Sequence, residues 1–200
     1  MQKLRDAIGV VGGIAIIIAL IVCYLPIKYL PLPVDTKDVN AVSIPGATEI
    51  DFYDVQGWNE NILQNKMLVE QKTLGGVGIT NWNIKVVYVM TNPNTPDCKI
   101  VSARATYTIK VTLPRWTDPR DGPVFMIWEW RNFLERVVVH EAHHVQIVID
   151  NVNMVEQAVS TSNCENEEEN FNAALDKVKQ LQDDFDTEQK KVGQTPINLQ

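Results

Sequence analysis

The chain is poor in the residue types on which several classes of protein depend. Its 200 residues contain only three histidines and three cysteines, and 18 Lys and Arg against 25 Asp and Glu give a net charge of −7. Phosphate binding needs concentrated positive charge, and no Lys/Arg cluster with interleaved aromatics is present. Nucleic acid is therefore not expected as a partner. The cysteines have no Cys-x-x-Cys spacing, so a thiolate zinc site is not expected either.

Two of the cysteines, Cys98 and Cys164, lie far apart in the sequence. They can pair if the domain lies outside the cytosol, where disulfides persist. In the chain-entropy model such a bond would contribute about 4 kcal/mol. The alternative is a pair of buried free thiols, and the sequence does not decide between the two.

All three histidines lie in one short window, His140-Glu-Ala-His-His144, which has the pattern H-E-x-x-H. On a helix, His140 and His144 lie on one face, one turn apart. Two imidazoles can then share a zinc ion while Glu141 acts as general base on a water that the metal activates. His143 is interpreted as a neighbour of the motif. A surface helix that has these letters by chance is disfavoured, because apolar residues flank the motif on both sides.

A catalytic zinc normally takes three protein ligands, and the chain has no fourth histidine, so the third ligand must be a carboxylate. If the chain reverses near Ser160, residues near position 180 of the return helix are level with the motif. Among the acids at that height, Asp186 is the least turned away from the apolar stripe, and it is the predicted third ligand. Glu167 is the alternative if the first helix ends early. The competing interpretation is that Asp186 is a solvated acid and the site is incomplete.

The N-terminal segment is apolar from residue 7 to residue 25 and follows Lys3 and Arg5. As a helix it would span about 28 Å, close to the thickness of a bilayer's hydrocarbon core. We therefore predict a signal anchor over residues 1–25, with the basic end inside and the rest of the chain on the periplasmic or extracellular side of the cell membrane. The alternative is secretion after signal cleavage, which is disfavoured because no small-x-small cleavage site is present.

Three stretches alternate apolar and polar residues as half-buried strands do: residues 50–55, 80–90 and 98–113. An amphipathic pattern over residues 58–72 predicts a helix between the first two. Together these predict a small antiparallel sheet with one packed helix. The tryptophans are predicted to be core residues.

The second half of the chain predicts a helical hairpin. A long helix from about residue 124 to about residue 153 contains the H-E-x-x-H motif, and an antiparallel C-terminal helix follows over about residues 164–190. The expected fold is therefore α+β. Its domain covers residues 49–193, between a proline-rich linker at 26–48 and a tail at 194–200.

Over roughly residues 48 to 193 the chain resembles an uncharacterised bacterial family described as secreted zinc-dependent proteases. The matching pieces are Phe52-Tyr-Asp-Val-Gln-Gly57, Gly78-Ile-Thr-Asn-Trp-Asn-Ile84, Tyr88, Cys98, Leu113-Pro-Arg-Trp116, Trp128, the H-E-x-x-H motif, Asn163-Cys164 and Phe185-Asp186. The resemblance implies an exported metallohydrolase with His140, Glu141 and His144 as its zinc-site residues.

One departure from the family pattern affects the predicted site. The pattern ends Tyr-Asp-x-x-Thr-x-His-Gly, whereas this chain reads Phe185-Asp-Thr-Glu-Gln-Lys-Lys-Val-Gly193. If that histidine helps to bind metal in relatives, then here either Asp186 suffices or zinc is bound weakly.

The predicted function is that of a membrane-anchored exocytoplasmic zinc hydrolase. A peptidase acting on a peptide or protein substrate is favoured, with Zn²⁺ as cofactor and Glu141 as general base. The alternative is a non-catalytic envelope binding module with a degenerate metal site. A metal-sensing or storage role is weaker, because three histidines with one glutamate base suit catalysis better than storage. The sequence has no signal for oligomeric state.

Overall fold

The structure, a computed structural model, describes residues 39–193. Within this range a small three-stranded sheet and three α-helices form a mixed α+β domain, which confirms the predicted class. The elements are β1 (Glu49–Val55), α1 (Glu60–Leu74), β2 (Ile79–Thr91), β3 (Lys99–Trp116), α2 (Val124–Ser160) and α3 (Glu167–Lys191), with a short 3-10 turn at Pro119–Asp121.

The sheet is mixed rather than antiparallel. Its order is β1-β3-β2, with β2 antiparallel and β1 parallel to the central strand β3. The prediction of an antiparallel sheet was therefore wrong for β1. This strand runs parallel to β3, and its Phe52 lies opposite Leu113 of β3. Alternation shows which side chains face the core, but it does not show the direction of the neighbouring strand. Because β3 is the central strand, β2 is an edge strand of the described sheet.

The β2–β3 hairpin buries the face that the alternation predicts. Ile84 is 2% exposed, Trp82 and Val86 are half-buried, and the alternate side chains point to solvent. The helix that covers this inner face is α2, whereas α1 touches the sheet mainly at β1. The predicted packed helix is present as α1, which buries Leu63 and Met67 in the core, but α2 rather than α1 covers the inner face of the sheet.

Helices α2 and α3 form the predicted hairpin. Helix α2 continues to Ser160, about two turns beyond the expected end, and α3 begins at Glu167. A disulfide joins Cys98, just before β3, to Cys164 in the turn between the two helices. The sequence left open whether Cys98 and Cys164 are bonded or free, and the structure contains the disulfide.

Residues 39–48, which the sequence assigned to the linker, pack against the domain. Val39 and Ile44 are buried. The Asn40 side chain donates to the Trp116 carbonyl and accepts from the Trp116 backbone N–H and from Trp130 Nε1. The predicted anchor at 1–25 and the tail at 194–200 lie outside the described residues. Between residues 39 and 193, no helix is both long enough and apolar enough to cross a membrane.

The tryptophans do not all lie in the core, contrary to the prediction. Trp116 and Trp130 are fully buried, but Trp58 is 60% and Trp128 is 68% exposed. On a helix, residues two apart point to nearly opposite sides, so Trp128 faces away from the core that Trp130 fills.

Candidate metal centre

Helix α2 places the H-E-x-x-H residues where the sheet and α3 meet. Its apolar stripe packs on the sheet, so the motif turns inward with it: Glu141 is 3% and His144 is 9% exposed. His140 lies one turn earlier on the side that faces α3 and is half-buried. The helical spacing thus brings both imidazoles to one face, as the sequence predicts.

Asp186 of α3 completes a group of three potential ligands with the two histidines. His140 Nε2 lies 3.2 Å from His144 Nε2, and Asp186 Oδ1 lies 3.2 Å from the former and 3.1 Å from the latter. In a tetrahedral zinc site with bonds of about 2.0–2.1 Å, neighbouring ligand atoms are roughly 3.3 Å apart. The donor set and its spacing therefore fit a zinc ion.

The alternative ligand Glu167 does not join this group. It lies in the first turn of α3, where its Oε1 accepts a hydrogen bond from the Tyr88 hydroxyl at 3.3 Å. Along the helix it is roughly 28 Å from Asp186. His143 also stays outside, because its ring stacks on Phe185 with the centroids 4.1 Å apart. The structure thus brings together His140, His144 and Asp186.

Gln182 determines which nitrogen of His144 faces the ligand group. Its side-chain nitrogen donates to the His144 carbonyl at 3.0 Å, so its oxygen faces His144 Nδ1 and accepts a hydrogen bond from it. The proton therefore resides on Nδ1, and the lone pair of Nε2 points toward His140 and Asp186. Such outer partners orient metal-binding histidines. Gln182 itself is buried.

His140 has a different environment from His144. Its Nδ1 is buried and has no hydrogen-bond partner among the described residues. Burial, followed by the neighbouring charge of His144, lowers the pKa of His140. The neutral imidazole that results is the form that binds a metal.

Glu141 is held beside the group by strand β2. Its Oε2 accepts a hydrogen bond from the Thr80 hydroxyl at 2.7 Å. Burial raises the pKa of Glu141 to about 7, while the Thr80 hydrogen bond and His144 act in the opposite direction. A carboxyl group with a pKa near neutrality is suited to both accepting and returning a proton.

Gly78 makes room for the Glu141 side chain. A Cβ at this position would lie 2.6 Å from Glu141 Oε1 and 2.7 Å from Val137 Cγ1. The requirement for glycine is therefore steric, because any larger residue would displace the glutamate or the strand.

A cleft of about 420 Å³ opens onto these residues. The end of α1, the start of β2, and α2 and α3 form its walls. The chemically active side chains in the lining are Thr80, His140, Glu141, His144, Gln182, Asp186 and Lys190. The cleft therefore runs past the first residues of β2 and Glu141.

Sequence reasoning missed Gln182, Thr80 and Gly78. Gln182 lies one turn before Asp186 on the same face of α3. The helix height and direction that predicted Asp186 would therefore also have selected Gln182 if amides had been considered. Gly78 and Thr80 lie in a segment that the family resemblance matched, but nothing in the sequence linked them to Glu141, because only the position of β2 across α2 brings them together.

The fold and the site together define an α+β domain whose helical hairpin presents a candidate metal centre of the H-E-x-x-H type. Residues 50–193 match a family model described as bacterial protein of unknown function (DUF922). The chain belongs to this family. No curated protein and no solved structure matches the chain.

Proposed function

We propose that the protein is a zinc-dependent hydrolase that cleaves peptide bonds. The observation that supports this most strongly is the convergence of His140 Nε2, His144 Nε2 and Asp186 Oδ1, all 3.1–3.2 Å apart, next to a buried glutamate. Two imidazole nitrogens and a carboxylate oxygen are ligand types that zinc prefers, and these three atoms lie close enough together to share one ion. A zinc ion held there would polarise the substrate carbonyl and lower the pKa of water to about 7.

Glu141 is the general base in this proposal. It would take the proton of the attacking water and return it to the leaving amine. Thr80 occupies Oε2, which leaves Oε1 for the proton. The space beside Gly78 lets the carboxylate adopt this position.

The edge strand β2 supports a peptide as the substrate. An edge strand has a row of unpaired backbone N–H and C=O groups. An extended peptide can add to such an edge and gain main-chain hydrogen bonds. The first residues of β2, from Ile79 to Thr80, line the same cleft as Glu141 and His144. A peptide bound along β2 would thus have its backbone next to the catalytic groups.

The proposed location is the outer side of the cell membrane. The disulfide between Cys98 and Cys164 fits an oxidising compartment. The uncharged segment over residues 7–25 is long enough to serve as a single-pass anchor. Both features support an exported domain that a membrane helix tethers.

Hydrolysis of a peptide library by the full-length protein tests the proposal. Glu141→Gln removes the base and leaves the three ligands in place, so zinc content should be retained and hydrolysis lost. Glu135→Gln, an exposed glutamate of the same helix, is the matched control and should keep both. Full hydrolysis by Glu141→Gln would refute the proposed mechanism.

One observation favours a second candidate, a non-catalytic envelope binding module with a degenerate metal site. His140 Nδ1 has no outer partner among residues 39–193, whereas metal-binding histidines almost always have one. In that case His140→Ala would abolish metal binding but leave the role of the protein in cells intact.

A further inference from the structure

We propose that one end of the domain rests in the interfacial layer of the membrane through three aromatic side chains. These are Trp58, Phe125 and Trp128, named here the aromatic end. The inference rests on the membrane anchor of the proposed function, but it does not depend on the metal centre.

The three side chains are exposed although they are large and apolar. Trp58 is 60%, Phe125 is 45% and Trp128 is 68% exposed. The amphipathic ring of tryptophan is enriched at membrane–water interfaces, where the apolar part contacts lipid and the indole N–H stays hydrated. A lipid surface is therefore a partner of the right chemistry for this end.

The backbone positions of the three exposed residues each lie within three residues of a group that contacts Trp116, which places these positions at one end of the domain. Trp116 Nε1 donates to the Gly57 carbonyl at 3.0 Å, and Trp58 is the residue that follows Gly57 in the chain. A Cβ on Gly122 would touch the Trp116 ring, and Phe125 follows three residues later. The rings of Trp116 and Trp130 lie 5.9 Å apart, and Trp128 precedes the latter by two residues.

Trp116 and Trp130 also hold the point where the chain enters the described domain. Asn40 bonds to the Trp116 backbone and to Trp130 Nε1. Residues 26–38 separate the apolar segment from Val39, and they span at most about 45 Å when fully extended. The chain from the apolar segment therefore joins the described domain at the aromatic end, so the tether attaches on this side.

The candidate metal centre lies away from this end. Helix α1 begins at Glu60, just after Trp58, and ends at Leu74 in the wall of the cleft, roughly 22 Å further on. Along α2, His140 lies roughly 18 Å from Trp128. With the aromatic end in the interface, the cleft would stand about 20 Å from it and open to soluble peptides.

Quenching of tryptophan fluorescence by brominated phosphatidylcholine in vesicles tests this inference with the full-length protein. All five tryptophans lie between residues 58 and 130, so the anchor itself contributes no tryptophan signal. We expect quenching for the unmodified protein. The pair Trp58→Phe and Trp128→Phe should lose most of it, because phenylalanine keeps the apolar contact and removes the fluorophore. Trp82→Phe, in the cleft, is the control and should retain the quenching.

Three readouts separate the possible failures. Quenching that is absent, or unchanged in the double variant, would overturn the inference and point to a protein partner for this surface. Failure of the protein to float with vesicles would overturn both the anchor and the orientation. Zinc content and hydrolysis, measured on the same preparations, test the hydrolase independently and should be unchanged in the double variant.

Discussion

Gln182 and His144 are joined by two hydrogen bonds that run in opposite directions. The amide nitrogen donates to the backbone carbonyl of the histidine, and the amide oxygen accepts from Nδ1 of its ring. One side chain of α3 thereby sets both the orientation and the tautomer of a predicted ligand on α2. The hairpin is therefore part of the site and not only a support for it.

Removing the Gln182 side-chain acceptor should weaken zinc binding. Gln182→Leu leaves Nδ1 of His144 without a partner, so we expect zinc affinity to fall by about 10- to 100-fold. Gln182→Glu keeps an acceptor and should recover most of the affinity, which a purely structural role would not explain. Gln180→Leu, exposed on the same helix, is the control. Competition with a chromogenic chelator measures the affinity, and an unchanged value for Gln182→Leu would refute the positioning role.

Asp186→Asn tests the carboxylate ligand. The amide preserves the shape of the side chain but removes the negative charge that lies 3.1 and 3.2 Å from the two imidazoles. We expect a larger loss of zinc than in Gln182→Leu, together with loss of hydrolysis. Asp183→Asn, exposed on the same helix, should have no effect. Retention of full zinc content by Asp186→Asn would show that the third ligand is another group.

Gly78→Ala should separate catalysis from metal binding. The added methyl group would meet Glu141 Oε1 at 2.6 Å and so must displace the carboxylate. We expect a fall in kcat with zinc content retained, and a loss of stability of about 1–3 kcal/mol from the overpacking. Steady-state kinetics and urea unfolding measure the two effects. A normal kcat would mean that the position of Glu141 is not important for the reaction.

The disulfide should contribute substantially to stability. It closes a loop with a sequence separation of 66 residues, for which the chain-entropy model gives about 4 kcal/mol. We expect the Cys98→Ser and Cys164→Ser double variant to lose about that much free energy of unfolding in urea. Cys23→Ser is the control. Equal unfolding curves under oxidising and reducing conditions would contradict the expectation.

The parts of the fold and site that could be predicted are those that depend on local periodicity. The spacing of His140 and His144 follows from the helical repeat. The height of Asp186 on the return helix follows from the same repeat and the position of the turn. The inward face of β2 likewise follows from alternation around Ile84.

The parts that could not be predicted depend on contacts between elements distant in the chain. The parallel direction of β1 is set by its pairing with β3, which leaves no trace in the alternation of its residues. The hydrogen bond between Thr80 and Glu141 depends on where β2 crosses α2. Residues 39–48 were assigned to the linker because Pro45 and the prolines before it prevent long regular structure, yet Asn40 bonds to two buried tryptophans.

The central claim is that His140, His144 and Asp186 hold a zinc ion. X-ray absorption at the zinc edge of the purified full-length protein tests it most directly, combined with the metal content per chain. We expect about one zinc per chain, with nitrogen and oxygen neighbours at about 2.0–2.2 Å and no sulfur. A protein that contains no zinc, or whose zinc has sulfur neighbours, would contradict it.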